Sequence, residues 1–195
     1  MPRKPKTAEE YLNRGAILSI GGDWDAALAD FNEAIRLNPS DASIWNYRAM
    51  VWERTGNLDE AIADYTEAIR LKSDDASFWI GRGMAWEDKG EYDKAIADYS
   101  EAIRLDSSCA DTWLRRGNCW NRKAEYDKAI NDFSETIRLD SNDSYAFSGR
   151  GVSWGEKGEY DKAIADYDEA IRLDSDNQHA IRNRDATLPM KQDEG

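Results

Sequence analysis

The stretch AIADYSEAIRL, residues Ala95–Leu105, recurs along the chain at a fixed spacing. Its copies, which differ from it at one to three positions, are Ala27–Leu37, Ala61–Leu71, Ala129–Leu139 and Ala163–Leu173. Each copy begins 34 residues after the one before it. A period of this length is typical of proteins built from small helical units that stack side by side. The spacing predicts five units, which cover 8–41, 42–75, 76–109, 110–143 and 144–177.

Each unit predicts two helices separated by a short break. In the second unit one face of the first helix is formed, at a period of 3.6 residues, by Trp45, Arg48, Ala49 and Trp52. After Thr55-Gly56-Asn57, a second helix carries its apolar residues at the same kind of spacing. Every second helix has an Asp in its first turn and an Arg near its end, which suits the helix dipole. The predicted N-caps of the later first helices are Asp41, Asp75, Asp143 and Asn177, with Cys109 as the exception.

At these positions the chain resembles the tetratricopeptide repeat family. The family pattern is carried by Trp79, Gly83 and Trp86 on a first helix and by Ala95, Tyr99 and Ala102 on a second helix. The resemblance implies an all-α fold, a right-handed superhelical solenoid of antiparallel helix pairs with a C-terminal closing helix. The chain departs from the family in having Arg where Leu is common, and Ser in place of most repeat-ending prolines. Thr136 also occupies a slot usually held by a small residue.

The ends of the chain are predicted to differ from the repeats. Residues 1–7 form a basic N-terminal tail, and residues 178–188 form a capping helix with Ile181 in an aromatic slot. After Pro189, residues 189–195 are predicted to be a disordered tail. The N-terminus has no apolar segment of the kind found in secretory signals.

Comparison of the five units separates residues needed for stacking from residues left over. Positions that recur in every unit fall on one face of the first helix, and positions that vary fall on the opposite face. In the family that the chain resembles, this variable face lines a concave groove that holds peptides. The predicted groove residues are Leu12, Ile20, Asn46, Tyr47, Met50, Arg54, Ile80, Met84, Leu114, Arg115, Asn118, Asn121, Arg122, Tyr145 and Val152.

The fourth unit is the most polar part of this predicted groove. Its two arginines and two asparagines could converge on a carboxylate, since Arg forms bidentate pairs with that group; the alternative is a solvated polar face. Some family members clamp the terminal carboxylate of chaperone tails with Lys at set groove positions. This chain has no Lys there, which excludes that mode; the slots hold Leu12, Asn46, Ile80, Leu114 and Ser148.

One arginine recurs on the stacking face of every first helix, where an unpaired charge is costly. Every second helix carries an Asp that could pair with it. We therefore expect a ladder of Arg–Asp pairs, with a row of anion sites as the alternative. The arginines are Arg14, Arg48, Arg82, Arg116 and Arg150, and the aspartates are Asp30, Asp64, Asp98, Asp132 and Asp166.

The composition of the chain limits the classes of partner and site that are expected. The formal net charge of −13 repels phosphate backbones, so nucleic-acid binding is not expected, and a partner with some basic residues is favoured. Only two cysteines, Cys109 and Cys119, are present, which indicates neither a disulfide framework nor a zinc site. No apolar run is long enough to cross a membrane. We expect a cytoplasmic protein.

The sequence offers no pattern for catalysis. His179 is the only histidine, and no phosphate-binding GxxxxGK[ST] loop occurs, so no enzyme activity, metal or cofactor is expected. The favoured function is a protein-interaction scaffold that holds a peptide with apolar anchors and basic residues in its groove. The alternative is a solenoid that assembles with copies of itself through its terminal or groove faces, although a monomer is expected.

Overall fold

The computed structural model describes residues 5–192, which contain α-helices and no strand. Residues 1–4 of the predicted basic tail, and residues 193–195 of the predicted disordered tail, lie outside this range. The helices are α1 (Ala8–Ile20), α2 (Trp24–Leu37), α3 (Ala42–Arg54), α4 (Leu58–Leu71), α5 (Ala76–Asp88), α6 (Tyr92–Leu105), α7 (Ala110–Arg122), α8 (Tyr126–Leu139), α9 (Ser144–Glu156), α10 (Tyr160–Leu173) and α11 (Gln178–Gln192).

The chain divides into two compact units after Leu105. The first unit contains the helix pairs α1–α2, α3–α4 and α5–α6, and the second contains α7–α8, α9–α10 and then α11. The two helices of a pair pack against each other. Each following first helix within a unit packs on the second helix before it, as α3 does on α2 and α9 on α8. The all-α helical repeat fold is therefore confirmed, and its core lies between consecutive helices.

Small residues on the first helices let aromatic rings of the second helices come close. A Cβ atom on Gly83 would lie 2.7 Å from Cε1 of Tyr99, whose ring is buried. The next first helix approaches such a ring from its other side, since a Cβ atom on Gly81 would lie 2.5 Å from Tyr65. The rings thus take the space that the absent side chains leave.

Side chains cap the predicted first helices as expected. An oxygen of the N-cap side chain accepts a hydrogen bond from a backbone N–H of the first turn; these confirmed caps are Asp41, Asp75, Asp143 and Asn177. Cys109, before α7, makes no side-chain cap bond. Helix α1 begins with a reciprocal pair in which Thr7 caps the backbone of Glu10 and Glu10 caps that of Thr7. Thr7 is thus part of the first helix boundary rather than of a tail.

The last helix is longer than predicted. It continues past Pro189 to Gln192, so the prediction of disorder was wrong for residues 189–192. Pro189 has no N–H to donate to the carbonyl of Asp185, which is the reason that a stop was expected there. The residues around this gap, Asp185 and Leu188 among them, are exposed, so water can reach the carbonyl that lacks its helical partner.

The turn inside each helix pair needs one residue with a left-handed backbone. Gly90, with φ +75°, holds that place in the third repeat, whereas Ala124, with φ 57°, holds it in the fourth. We expect Ala124→Gly to raise the free energy of unfolding by about 0.5–1 kcal/mol, because glycine adopts this conformation without steric cost. Gly90→Ala is the matched reverse change and should lower it by about 1 kcal/mol. Urea unfolding of both variants tests this, and a loss of stability in Ala124→Gly would contradict it.

Two glycines of α9 provide a second test of the packing. A Cβ atom on Gly151 would lie 2.7 Å from the ring of Tyr167 and 3.2 Å from the carbonyl oxygen of Ala163, so Gly151→Ala should cost about 1–3 kcal/mol. A Cβ atom on Gly155 would meet nothing nearer than 3.8 Å. Gly155→Ala should therefore be neutral or stabilise the helix by up to about 1 kcal/mol. Thermal unfolding distinguishes the two, and equal midpoints would refute the close approach.

Candidate functional site

Each first helix carries one arginine whose guanidinium forms a bidentate ion pair with an aspartate of the second helix in the same repeat. Nε and Nη2 donate to the two carboxylate oxygens at 2.6–2.8 Å. The five pairs are Arg14–Asp30, Arg48–Asp64, Arg82–Asp98, Arg116–Asp132 and Arg150–Asp166. The aspartates are buried. The predicted Arg–Asp ladder is confirmed.

Several of these arginines also reach the second helix of the preceding repeat. Nη1 of Arg82 donates to Oγ1 of Thr66 at 3.1 Å, and Nη1 of Arg150 donates to Oγ of Ser134 at 3.2 Å. The guanidinium of Arg82 lies 5.1 Å from the ring centre of Trp79. Because the donors are engaged within the fold, the arginines fasten neighbouring repeats together, and the geometry does not support the alternative of a row of anion sites.

Buried polar groups near the ladder have shifted pKa values. Burial raises the pKa of the Asp132 carboxyl, and its hydrogen bonds from Arg116 oppose that shift. Burial raises the pKa of Tyr167 to about 12, with a further contribution from the charge of Glu156. Burial likewise raises the pKa of Tyr65, whose hydroxyl donates to the carboxylate of Glu53 at 2.9 Å. Both tyrosines stay protonated at neutral pH, and Tyr65 acts as a hydrogen-bond donor to Glu53.

The predicted groove residues all reach the surface at least in part. Those that are exposed are Ile20, Tyr47, Met50, Arg54, Asn118, Arg122 and Tyr145. Those that are half-buried are Leu12, Asn46, Ile80, Met84, Leu114, Arg115, Asn121 and Val152. The variable face of the first helices is therefore accessible, as expected for a face that does not serve the stacking.

In the first unit, α3 and α5 each carry two apolar side chains at predicted groove positions. Tyr47 is 40% exposed and Met50 is 48% exposed, and they lie one turn apart on α3. Ile80 and Met84 are half-buried on α5, which contacts α3. These four residues are called the α3–α5 patch below.

Two of the predicted groove residues in this unit also pack against the core. The ring of Tyr47 stacks on the buried ring of Phe31, with 6.2 Å between centres and 18° between planes. Leu12 packs against the core of the first repeat. Ile20, by contrast, is 88% exposed at the end of α1. Tyr47 and Leu12 thus contribute to the fold as well as to the surface, whereas Ile20 contributes to the surface alone.

Two side chains of the polar set on α7 have partners within the fold. Arg115 donates through Nε to Asp111 at 2.8 Å. Asn121 donates to the carbonyl of Gly149 at 3.1 Å and accepts a hydrogen bond from Ser153 at 2.7 Å. Two of the four proposed anion ligands are thus engaged in an ion pair and in the contact between α7 and α9. Asn118 and Arg122 remain exposed.

A cleft lies between α9, α10 and α11 in the second unit. Its volume is about 290 Å³, and its lining includes Val152, Tyr160, Tyr167, His179 and Met190. Of these only Val152 was a predicted groove residue. The lining residues on α11 continue the 34-residue register of the first helices. Ala186, for example, lies 34 residues after Val152 and also lines the cleft. Extending the comparison to a sixth first helix would have found them.

Among residues 5–192, no group of three or more His, Cys, Asp or Glu side chains is arranged to hold a metal ion. Within the same range, none of the helices combines the length and the apolar character needed to cross a membrane.

The sequence pattern of the tetratricopeptide repeat matches residues 21–76, 57–110, 80–144 and 144–177. The chain belongs to the tetratricopeptide repeat family. Tetratricopeptide repeat proteins are protein–protein interaction scaffolds. None of the curated proteins matches this chain.

Solved tetratricopeptide repeat structures share the fold. YrrB, described as a TPR protein with an unusual peptide-binding site, is 22% identical with a TM-score of 0.83, over 91% of this chain and 92% of YrrB. MamA is 22% identical with a TM-score of 0.82, over 86% and 92%. A tetratricopeptide repeat protein from Parabacteroides merdae is 20% identical with a TM-score of 0.84, over 95% and 73%. At these identities the likeness establishes the fold.

The structural role of the ladder predicts that two arginine-to-alanine changes differ widely in their effect on stability. The side chain of Arg82 is 17% exposed beside a buried aspartate. Arg82→Ala should therefore lower the free energy of unfolding by about 3 kcal/mol, because it leaves the buried Asp98 carboxylate without its ion-pair partner. Arg70→Ala removes an exposed pair with Glu67 and should leave the unfolding midpoint almost unchanged. In the double variant Arg82→Ala/Asp98→Ala the loss should be smaller than the sum of the two single losses. Additive losses in urea unfolding would argue against the pair.

Proposed function

We propose that this chain is a non-enzymatic scaffold whose first unit binds a peptide segment of a partner protein on the α3–α5 patch. The observation that supports this most is the accessibility of Tyr47 and Met50 beside Ile80 and Met84, on a face that the repeats do not use for stacking. Exposed apolar side chains on two helices that contact each other are typical of a contact site. The methionines suit it, because their flexible thioethers adapt to different side chains.

The proposed partner segment combines apolar anchors with basic residues. Apolar anchors fit the α3–α5 patch, and the net charge of −13 attracts a basic segment at long range. Since the helices that carry the patch are rigid elements of the fold, the backbone freedom lost on binding is that of the peptide. In the second unit, Tyr145 and Val152 are proposed as a separate contact on the corresponding face of α9.

Two findings support this proposal. The family consists of protein–protein interaction scaffolds. YrrB, which has the same fold, is described as having a peptide-binding site. The residues that contact the partner are assigned here from the exposure and chemistry of this chain.

The proposal is tested with two short fluorescein-labelled peptides that share Leu and Phe anchors and differ only in having Lys or Glu between them. Fluorescence anisotropy should show binding of the Lys peptide and weaker binding of the Glu peptide. Met50→Asp should weaken binding of the Lys peptide about tenfold, which corresponds to about 1.4 kcal/mol. The control is Ala97→Asp, which adds the same charge at an exposed position of α6.

Equal affinities of the wild-type protein and Met50→Asp for the Lys peptide would refute the patch as the site. Analytical ultracentrifugation of the protein alone addresses the competing function. A monomer is expected; a self-association that Met50→Asp abolishes would assign the patch to assembly with a second copy instead.

A further inference from the structure

Each first helix has one position that faces the preceding repeat. In α3 this is Val51, which is 2% exposed and packs with Ala27, Phe31 and Ala34 of α2. The residues in the same register on α5 and α9, Ala85 and Ser153, are also fully buried. Burial at this position is therefore the rule wherever a second helix precedes the first helix within a unit.

In α1 the same position is Ile17, and it is 70% exposed. No part of residues 5–192 covers it. The side chain is large, branched and apolar, and removing such a side chain from water is favourable. The place that a second helix fills at α3 is thus open at α1.

The arginine of α1 provides a second, independent observation on the same side of the helix. Nη1 of Arg48 donates to Oδ1 of Asn32 on α2, and the Arg48 side chain is 18% exposed. Arg14, in the same register, is 44% exposed, and its Nη1 has no hydrogen-bond partner within residues 5–192. An apolar side chain and an N–H donor are therefore both left exposed where the other repeats engage them. Ile17 and Arg14 together are called the α1 edge below.

The geometry points to the α1 edge as a docking site for an amphipathic helix of a partner protein that packs there as a second helix does. The chemistry of the occupant follows from the helices that fill this place elsewhere in the chain. α2 presents Ala, an aromatic residue and Ala at i, i+4 and i+7, with an acceptor for the arginine one residue after the aromatic.

α4 repeats this arrangement with Ala61, Tyr65 and Ala68, and its acceptor is Thr66. A folded second copy cannot offer α2, α4, α8 or α10 as the occupant, because the first helices that follow them already cover them.

A peptide with the sequence of α4, residues 58–71, is the probe. Because a helix of 14 residues is marginal alone, positions 59 and 63, which are exposed in α4, are joined by a hydrocarbon staple. Anisotropy should show binding of the labelled peptide to the full chain. The same stapled peptide carrying Tyr65→Asp should bind at least about tenfold more weakly, since it loses the ring that packs against the following first helix in the folded chain.

In the protein, Ile17→Asp should weaken binding of the stapled peptide about tenfold. Ile20→Asp is the matched control, because Ile20 lies on the same helix in a register where Arg54 and Asp88 are also exposed. Circular dichroism should show unchanged melting for both variants, since both side chains are exposed. Met50→Asp should bind the stapled peptide as the wild type does, which separates this site from the α3–α5 patch.

Three outcomes would overturn the assignment. The first is equal affinity of the wild type and Ile17→Asp for the stapled peptide, or no binding by either. The second is loss of the stapled peptide in Met50→Asp, which would place it on the α3–α5 patch. The third is a self-association of the chain that Ile17→Asp abolishes, which would make a second copy the occupant of the α1 edge.

Discussion

The contact of one aromatic ring with a glycine on a first helix sets the distance between the helices on which the remaining contacts depend. Tyr99 can lie against Gly83 only because no Cβ atom stands between them. At that separation the guanidinium of Arg82 reaches both oxygens of Asp98, which lies one residue before Tyr99 on the same second helix. A wider separation would leave a buried carboxylate without its donors, which is costly. Apolar packing and the ion pair are therefore satisfied by one geometry.

This geometry also determines which residues are available for a partner. The recurring face of each first helix is occupied by the ring contact, by the Arg–Asp pair and by an aromatic ring under the arginine, such as Trp79. What remains is the variable face, and there the chain is free to differ between repeats. Ile80 and Asn46 illustrate this, since they hold the same register on α5 and α3 and have opposite character. In this fold, a binding surface is therefore formed by residues that do not take part in the stacking of the helices.

Much of the fold could be predicted from the sequence because the repeat makes five independent observations of each position. The helix pairs, the caps and the Arg–Asp ladder all recur, so a chance resemblance is averaged out. The site could be predicted less well. The side-chain amide of Asn121 is hydrogen-bonded to Gly149 and Ser153. These bonds occur in one repeat, so the repeat pattern of the sequence does not indicate them. The helix beyond Pro189 was missed because proline is a statistical stop signal rather than a physical barrier where water can reach the open carbonyl.

Ile17 shows why a residue can be ordinary in sequence and exceptional in structure. In the alignment of repeats it is one more apolar residue in a slot that Val51 also fills. Its exposure depends on what lies against α1, and a residue pattern carries no information on an absent neighbour. In a stacked array every internal face is matched by the next repeat, so an unmatched face can occur only at an edge. The chemistry of such a face is nevertheless known in detail, because the matched copies inside the same chain display the kind of helix that fits it.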